Sequence, residues 1–332
     1  MLVSWNSTNQ CNMFCDHCYR DAGAKLDDEL NTDQAKKMIR EIQAAGFKIM
    51  IFSGGESIMR PDIFELGSYA TATGLRAVLG TNGTLITPDI AAGLKTAGFK
   101  AAGVSLDSLD AGKNDQFRKF DKAHDLAIQG MINLKNAGVP FQIHTTVMDW
   151  NVRELEEITD FAIEIGAMAH HVFFLVPTGR AVNIEDEALR KMEYERTITR
   201  LMKKQTEIEI EIKPTCAPQF MRIAQQKNMP MRFSRGCLAG ISYCIISPKG
   251  NVQPCAYLDI ALGNVKEKPF DEIWRDSQMF KELRTMAYEG KCGYCDYIDS
   301  CGGCRARAYY YTQGNYMAQD DWCLYQPRGE NK

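Results

Sequence analysis

The sequence has no cysteine between Cys18 and Cys216, although its 332 residues include 12 cysteines. Three of them lie in the first 18 residues and nine lie from position 216 onward. The sequence also lacks an apolar run of 18 residues and an evident leader before its first apolar segment, so we expect a cytoplasmic protein without a membrane span. Because a reducing cytosol disfavours disulfides, the cysteines are expected to bind metal. The net charge of −3 gives no reason to expect a nucleic-acid partner.

Strand and helix signals alternate over the first 206 residues. The predicted strands are 2–7, 48–53, 75–81, 101–106, 141–147 and 171–176, and the predicted helices are 32–45, 61–73, 87–97, 121–137, 151–166 and 184–206. Six such units with helix-length crossovers predict an α/β fold with a parallel sheet. Right-handed crossovers would curl this sheet into a barrel or partial barrel, with reactive groups at the C-terminal strand ends.

The remaining third of the chain is organised differently. Residues 207–215 are predicted to form a strand that leads out of the barrel. Beyond about residue 230 the periodicity fades and Gly, Cys and Tyr become frequent, as in a loop-rich fold that metal holds together.

Cys11, Cys15 and Cys18 form a C-x3-C-x2-C motif directly after the first predicted strand. Three thiolates so close together can hold three irons of a 4Fe-4S cluster and leave the fourth iron open for a ligand. The alternative is a structural zinc site, which needs a fourth Cys or His; His17 is available for that role.

This spacing resembles the cysteine motif of radical S-adenosylmethionine (SAM) enzymes, whose barrels are built from six units. The resemblance implies that the three cysteines are catalytic, because the open iron binds the amino and carboxylate groups of SAM. One electron from the reduced cluster then cleaves SAM to methionine and a 5'-deoxyadenosyl radical. His17 would lie over the adenine of SAM; its plain alternative is a solvent-facing loop residue.

Gly54, Gly55 and Glu56 end the second predicted strand. Two glycines allow a ligand to approach the backbone, and a carboxylate can accept bonds from an ammonium group. The tripeptide resembles the GGE motif that binds the methionine amino group of SAM, although Ser57 stands where the family usually has Pro. The alternative is an ordinary turn at the end of a strand.

Further SAM contacts follow from the same resemblance. Polar residues at the third and fourth strand ends would contact the ribose or carboxylate of SAM, and an arginine of the family would contact the carboxylate. Each of these could equally be a turn or cap residue. The residues concerned are Asn82, Ser105, Asp107 and Arg118.

The C-terminal cysteines resemble the SPASM domain, an extension of radical SAM enzymes with two auxiliary 4Fe-4S clusters. The last spacing is two residues, Gly302-Gly303, where the family usually has three. The resemblance implies one quartet of Cys237, Cys244, Cys255 and Cys304, and a second quartet of Cys292, Cys295, Cys301 and Cys323. A pair of zinc ribbons is the alternative.

Cys216 remains outside both quartets, and it is either a thiol of the substrate pocket or a small buried hydrophobe. The expected organisation is a radical SAM partial barrel over 1–206, a bridging segment over 207–235 and a SPASM domain over 236–332. Three 4Fe-4S clusters are expected in total, one binding SAM and two auxiliary.

Several sequence segments outside the cysteine motifs resemble one branch of this superfamily more specifically. They include FQIHTTVMDWN, HHVFFLVPTGR, KPTCAPQFMRIA and CGGCRARAYYY. These resemble the tetrapyrrole-modifying branch, in which haem synthases of the sirohaem-dependent alternative pathway convert two propionates of iron-coproporphyrin III to vinyls and so make haem b. The resemblance also implies a small electron donor such as ferredoxin or flavodoxin.

Alternative functions stay open at this point. Relatives deacetylate 12,18-didecarboxysirohaem or act in haem d1 biosynthesis. A SPASM-type peptide maturase is a further possibility, but only ten residues precede Cys11 and leave no room for a peptide-recognition domain. An iron-sulfur electron carrier is disfavoured because a carrier needs no SAM pocket.

An iron porphyrin with four propionates requires cations and polar side chains around it. The candidate cations are Arg180, Lys213, Arg232 and Arg235, and the candidate iron ligands or polarising groups are His144, His170 and His171. Neighbouring residues of a strand point to opposite faces, so at most one of His170 and His171 can face the barrel. Each arginine could instead form an ordinary surface ion pair, and each histidine could be purely structural.

Overall fold

One sheet of nine strands organises the part of the chain that the structure describes, residues 1–328 of a computed structural model. The strands are β1 (Leu2–Asn6), β2 (Ile49–Ser53), β3 (Arg76–Thr81), β4 (Ala101–Ser105), β5 (Phe141–Val147), β6 (Ala169–Phe174), β7 (Glu211–Thr215), β8 (Tyr243–Ile246) and β9 (Val252–Gln253). Their spatial order is β7-β6-β5-β4-β3-β2-β1-β8-β9, and every pair is parallel except β8 with β9. The predicted α/β class with a parallel, partly closed sheet is confirmed.

Helices connect the parallel strands. They are α1 (Thr32–Ala44), α2 (Ile63–Ala72), α3 (Pro88–Thr96), α4 (Ala111–Arg118), α5 (Ala123–Asn136), α6 (Leu155–Ile165), α7 (Lys191–Gln205), α8 (Gln219–Gln226), α9 (Phe270–Asp276), α10 (Gln278–Thr285) and α11 (Arg305–Tyr311). Short 3₁₀ helices cover Ser57–Met59, Gly179–Glu187 and Gly290–Cys292. In the described part of the chain, no helix has both the length and the apolar character needed to span a membrane.

The helix starts follow local capping chemistry. Asn31 Oδ1 accepts from the Gln34 amide at 2.9 Å, while Gln34 Oε1 accepts from the Asn31 amide at 3.0 Å. This reciprocal pair is a capping box, and it begins α1 at the predicted position. At α3, Thr87 caps the helix and Pro88 is its first residue, where a missing N–H costs nothing.

One predicted helix is shorter in the structure, and one helix of the structure was not predicted. The expected helix over 184–206 begins as part of the 3₁₀ segment, and α7 itself starts only at Lys191. Helix α4 was not expected, because it buries only Asn114, Phe117 and Arg118 and so shows no apolar stripe.

The sheet extends further than the sequence indicates. Residues 207–215 were expected to lead out of the barrel, but Glu211–Thr215 pairs with β6 as the edge strand of the sheet. Strand β8 pairs in parallel with β1, so Val3 lies beside Cys244. The sheet therefore runs without a break from the strand before Cys11 into the cysteine-rich region.

The two faces of the sheet have different environments. The outer face packs against helices, and its residues Val104, Ile143, His170 and Ile212 are almost completely buried. The inner face carries Ser105, His144, His171 and Lys213 at one level, since these residues are partners in register across β4, β5, β6 and β7. We call these four residues the inner row.

Candidate functional site

The loop after β1 brings Cys11, Cys15 and Cys18 together. All three thiols are half-buried, and the charges of Cys15 and Cys18 act on Cys11. Burial is the main reason that the pKa of Cys11 rises to about 11. Burial also raises the pKa of Cys15. Adjacent thiols fit a metal cluster, because the cluster supplies the positive charge that favours their ionised form.

Two glycines at the end of β2 hold this loop. The Gly55 amide donates to Thr8 O at 2.8 Å, and the Glu56 amide donates to Gln10 O at 2.7 Å. A Cβ on Gly55 would lie 2.3 Å from Gln10 O, and one on Gly54, whose φ is +146°, would lie 2.5 Å from Thr8 O. The glycine pair is therefore needed for the cysteine loop to approach the sheet, whatever else it contacts.

The Glu56 carboxylate is completely buried where the ends of β2 and β3 meet. Its Oε1 accepts from Thr81 Oγ1 at 2.9 Å and from the Ile58 amide at 3.2 Å, and Oε2 accepts from the Asn82 amide at 2.8 Å. Burial raises the pKa of Glu56, and these hydrogen bonds oppose that rise. An ionised carboxylate has about four acceptor positions, so one remains for a ligand cation.

Asn82 links the end of β3 to the cysteine loop. Its Nδ2 donates to Asn12 Oδ1 at 2.8 Å, and its Oδ1 accepts from the Thr84 amide at 2.9 Å. Ser105, one strand further along, donates from Oγ to Thr81 O at 3.3 Å. Both predicted SAM contacts therefore lie at the same sheet edge as Glu56.

Asp107, Arg118 and His17 form a buried polar group beside the cysteines. Arg118 Nη2 donates to Asp107 Oδ2 at 2.6 Å, and His17 Nε2 lies 3.9 Å from the same oxygen. The His17 ring stacks on Phe117 with 4.2 Å between centroids. Burial is the main reason that the pKa of His17 falls to about 4, so this ring is neutral near pH 7.

Two buried polar atoms of this group have no hydrogen-bond partner among the described residues: His17 Nδ1 and Arg118 Nε. Buried donors and acceptors are normally paired, because an unpaired one loses its hydration without compensation. Their position beside the cysteines fits a ligand that carries polar groups, as SAM does.

The second group of cysteines surrounds a pocket of about 370 Å³, open mouth included. Arg222 and Lys291 also line this pocket, and both favour ionised thiols there. In the described part of the chain, no three Cys, His, Asp or Glu side chains converge on a single metal-ion position. The thiols that line the pocket are those of Cys292, Cys295, Cys301 and Cys323.

The third group of cysteines differs from the expected one. The charges of Cys237 and Cys304 act on both Cys255 and Cys216, so these four thiols are neighbours. Cys216, Cys255 and Cys304 also pack into the same apolar cluster.

Cys244 lies elsewhere. It is completely buried in the main hydrophobic core, on the outer face of β8 beside Val3, and within residues 1–328 the charged group that acts on it is Arg284. This position does not fit the expected place of Cys244 in the quartet, whereas Cys216 lies among the other three thiols. The short spacing to Cys237 was misleading because the strand turns the Cys244 side chain toward the helices.

The backbone around Cys216 is unusual. Its φ is +59°, which places a residue with a Cβ in the left-handed region directly after β7. Arg307 Nη2 donates to Cys216 O at 2.9 Å and holds this conformation. Such strain is concentrated at functional sites, where surrounding contacts enforce it.

The three candidate histidines lie on different faces of the sheet, as the alternation of side chains along a strand requires. His170 lies on the outer face between Thr159 and Thr145, at 2.9 Å and 3.0 Å from their hydroxyls. His144 and His171 both face inward with stacked rings whose centroids are 5.3 Å apart.

The candidate cations have different surroundings. Arg180 is committed to the cysteine loop, since its Nε donates to Cys15 O at 2.9 Å and its Nη1 pairs with Asp21 at 2.8 Å. Arg235 donates to the carbonyls of Cys237 and Asp299 and so belongs to the cysteine-rich region. Arg232 is exposed, and Lys213 belongs to the inner row.

Sequence reasoning missed several residues that support the site. Glu29 Oε1 accepts from Thr8 Oγ1 at 3.1 Å and from the Asn9 amide at 2.7 Å, at the start of the cysteine loop. Asp320 Oδ2 accepts from the Cys304 amide at 2.8 Å and from Arg307 Nη1 at 3.1 Å. Neither residue lies in a motif, so no sequence signal marked them.

The fold and the cysteine loop together define a class of protein. A family model for the radical SAM superfamily matches residues 5–162, and one for an iron-sulfur cluster-binding domain, SPASM, matches residues 237–305. The chain is also similar to the solved structure of Streptococcus suis SuiB bound to S-adenosylmethionine, with a TM-score of 0.77 and 17% identity, over 98% of this chain and 77% of that one. At that identity the likeness concerns the fold alone.

Curated relatives are much more similar in sequence. An AdoMet-dependent heme synthase of Nitratidesulfovibrio vulgaris is 41% identical over 98% of this chain and 93% of its own length. One of Methanosarcina barkeri is 42% identical, over 98% and 97%. A Fe-coproporphyrin III synthase of the same organism is 31% identical, over 97% and 87%. The chain belongs to the radical SAM superfamily, in the group with a C-terminal SPASM domain, and its cofactors are SAM and iron-sulfur clusters.

Proposed function

We propose that this protein is a haem synthase that decarboxylates two propionates of iron-coproporphyrin III to vinyl groups. The observation that carries the proposal is the 40–42% identity to three AdoMet-dependent heme synthases over 98% of the chain. The buried polar edge around Glu56, Asp107 and Arg118 supports it, because a SAM-dependent radical reaction needs a site shielded from water.

The reaction balances as follows. Each propionate loses one hydrogen atom from the carbon next to the macrocycle, then carbon dioxide and one electron, which leaves a vinyl group. When bound, the reduced cluster and SAM together supply the radical that takes the hydrogen atom. The residues of the chain orient SAM and the porphyrin and exclude other hydrogen donors.

Specific residues are proposed for these tasks. Cys11, Cys15 and Cys18 hold the SAM-binding cluster, and the motif Gly54, Gly55 and Glu56 accepts the amino group of SAM. The remaining SAM contacts are assigned to His17, Asn82, Ser105, Asp107 and Arg118. Their common position at one sheet edge and the unpaired atoms of His17 and Arg118 support these assignments.

Two auxiliary 4Fe-4S clusters complete the proposed cofactor set and offer acceptors for the electron released in decarboxylation. Cys292, Cys295, Cys301 and Cys323 hold one of them, supported by their common pocket. Cys216, Cys237, Cys255 and Cys304 hold the other, supported by their mutual electrostatic interaction. A small ferredoxin or flavodoxin is the proposed electron donor.

A second candidate is an earlier step on the same class of substrate. The 31% identity to a Fe-coproporphyrin III synthase favours it, because that enzyme shares nearly the whole length of the chain. In this case the substrate would be 12,18-didecarboxysirohaem, and acetate groups would be removed. The lower identity ranks it behind haem synthesis.

The test is an anaerobic incubation of reconstituted protein with SAM, a reductant and either tetrapyrrole, with products identified by mass. We expect iron-coproporphyrin III to lose two carboxyl groups, each with a hydrogen atom, and didecarboxysirohaem to remain unchanged. Conversion of didecarboxysirohaem alone would assign the protein to the earlier step. Conversion of neither tetrapyrrole would contradict the proposed function.

A further inference from the structure

Among the described residues, one cation of the inner row has no ion-pair or hydrogen-bond partner. Lys213 is half-buried on β7, and its Nζ lies 4.5 Å from the centroid of the Phe233 ring. Among the described residues, no carboxylate lies within the 4.0 Å of an ion pair with Nζ, and no hydrogen bond from it is found. Cations that line the interior of a fold are normally paired, because removing an ammonium from water is costly.

The nearest acid is committed to another residue. Glu211 Oε1 lies 3.2 Å from His171 Nε2, which lowers the pKa of Glu211, although the charges of Glu211 and Lys213 also act on each other. On β5, Gln142 Nε2 lies 2.6 Å from His144 Nε2, so His144 also has a polar partner. The inner row therefore satisfies its own polar groups except for Lys213.

Burial is the main cause that lowers the pKa of Lys213 below its usual range. An anionic ligand at Nζ would reverse that effect, because an opposite charge favours the ammonium form. The charge of the exposed Arg232 also acts on Glu211, so Arg232 adds positive charge near this end of the row. The chemistry of this end of the row thus selects a carboxylate or a similar anion.

The position of Lys213 sets the size of the ligand. Ser105, at the SAM side of the same row, is three strands away, which is about 14 Å at the usual strand spacing. A ligand that reaches both ends of the row must be broad and carry its anionic groups at its rim. A tetrapyrrole with propionates on its periphery has both properties.

We propose that Lys213 binds a propionate that the enzyme retains in its product. This inference rests on the proposed haem synthase function and deepens it. An ammonium ion paired with a carboxylate stabilises the carboxylate, and so it opposes loss of that group as carbon dioxide. Lys213 therefore suits an anchoring propionate, while the propionates that react lie toward Ser105 and the SAM site.

The experiment measures binding rather than turnover. Iron protoporphyrin IX, which carries only the two retained propionates, and its dimethyl ester are titrated into the anaerobic holoenzyme and followed by absorbance. For Lys213→Met we expect the affinity for the diacid to fall ten- to hundred-fold, the effect of one charge-assisted hydrogen bond. The affinity for the diester should stay at the parent value.

Matched variants make the outcome decisive. Lys203→Met, at a lysine whose side chain is 76% exposed, should bind both ligands like the parent. Lys213→Arg should keep most of the diacid affinity, and Lys213→Gln replaces the Met variant if that one does not fold. Unchanged diacid affinity in the variants without a charge at 213 would overturn the inference. If affinity is unchanged but the parent enzyme converts iron-coproporphyrin III, only the role of Lys213 is wrong. If the parent enzyme converts neither tetrapyrrole, the proposed function is wrong.

Discussion

At the scale of single residues, Glu56 shows how one side chain can serve both fold and ligand. Its carboxylate accepts three hydrogen bonds and is completely buried. Those bonds fix the ends of β2 and β3, between which the cysteine loop is held. The family motif suggested only the contact with SAM, since the donors Thr81 and Asn82 at the end of β3 cannot be deduced from a tripeptide.

Replacing Glu56 by Gln should weaken SAM binding while leaving iron content unchanged. The variant loses the negative charge that would receive the ammonium group of SAM, and a charge-assisted hydrogen bond contributes about 1.5–3 kcal/mol. We expect the dissociation constant of SAM, measured by equilibrium dialysis, to rise ten- to hundred-fold. Glu65→Gln, at a side chain that is 55% exposed, is the matched control. Parent-like SAM affinity in Glu56→Gln would remove Glu56 from the SAM site.

His170 should make stability depend on pH. Burial lowers its pKa from about 6.5 in the unfolded chain to about 3 in the folded protein. Between these values the unfolded state binds the extra proton, so the free energy of unfolding rises with pH by about 1.4 kcal/mol per unit for this residue. This contribution is complete above pH 6.5 and is lost as the pH falls toward 3.

The measurement compares the parent with His170→Gln in anaerobic urea unfolding at pH 6.5 and 5.5, with iron content checked at both values. We expect the loss of stability between the two values to be smaller in the variant by about 1 kcal/mol. Other buried histidines, such as His144, contribute equally to both proteins and cancel. Identical losses in the two proteins would show that folding does not lower the pKa of His170.

At the scale of secondary-structure elements, periodicity and capping residues predict the six βα units well. Helix α1 has both its capping box and its buried stripe, and β5 alternates strictly between buried and half-buried positions. Helix α4 has neither signal, and its position depends on the burial of Phe117 and Arg118 against the site. The pairing of β8 with β1 joins residues about 240 positions apart, and no local pattern encodes such a contact.

The two cysteines at β7 and β8 show the same limit. Cys216 looks isolated in the sequence because its neighbours in space, Cys237, Cys255 and Cys304, are distant from it along the chain. Cys244 looks like part of a motif, but the alternation of β8 places it in the core. Spacing along the chain predicts how many cysteines bind metal, but it cannot predict on which face of a strand each of them lies.

Single variants of this pair give a direct test. Cys216→Ala should reduce the iron content of the reconstituted protein by about four irons per chain, and Cys244→Ala should leave it unchanged. The physical reason is that Cys244 acts as a small buried hydrophobe. Iron and sulfide analysis, with SAM cleavage as the check on folding, distinguishes the two variants. Loss of iron from the Cys244 variant alone would restore the original assignment.

At the scale of the whole molecule, one continuous sheet connects the cysteine loop after β1 with Cys216 and with the start of the cysteine-rich region. The C-terminal ends of β1 to β4 carry the SAM-side residues, the end of β7 carries Cys216, and β8 brings the cysteine-rich region beside β1. The inner row lies across β4 to β7 between these groups. A substrate bound along the row would therefore lie between the site of hydrogen removal and a possible electron acceptor.

The central claim is that this enzyme removes hydrogen from a propionate of iron-coproporphyrin III by SAM-dependent radical chemistry. Substrate deuterated at the propionate carbons next to the macrocycle tests it most directly, with the 5'-deoxyadenosine formed in the reaction analysed by mass. We expect one transferred deuterium for each vinyl group formed, and no 5'-deoxyadenosine from a variant in which Cys11, Cys15 and Cys18 are all replaced by Ala. Vinyl formation accompanied by unlabelled 5'-deoxyadenosine would contradict it.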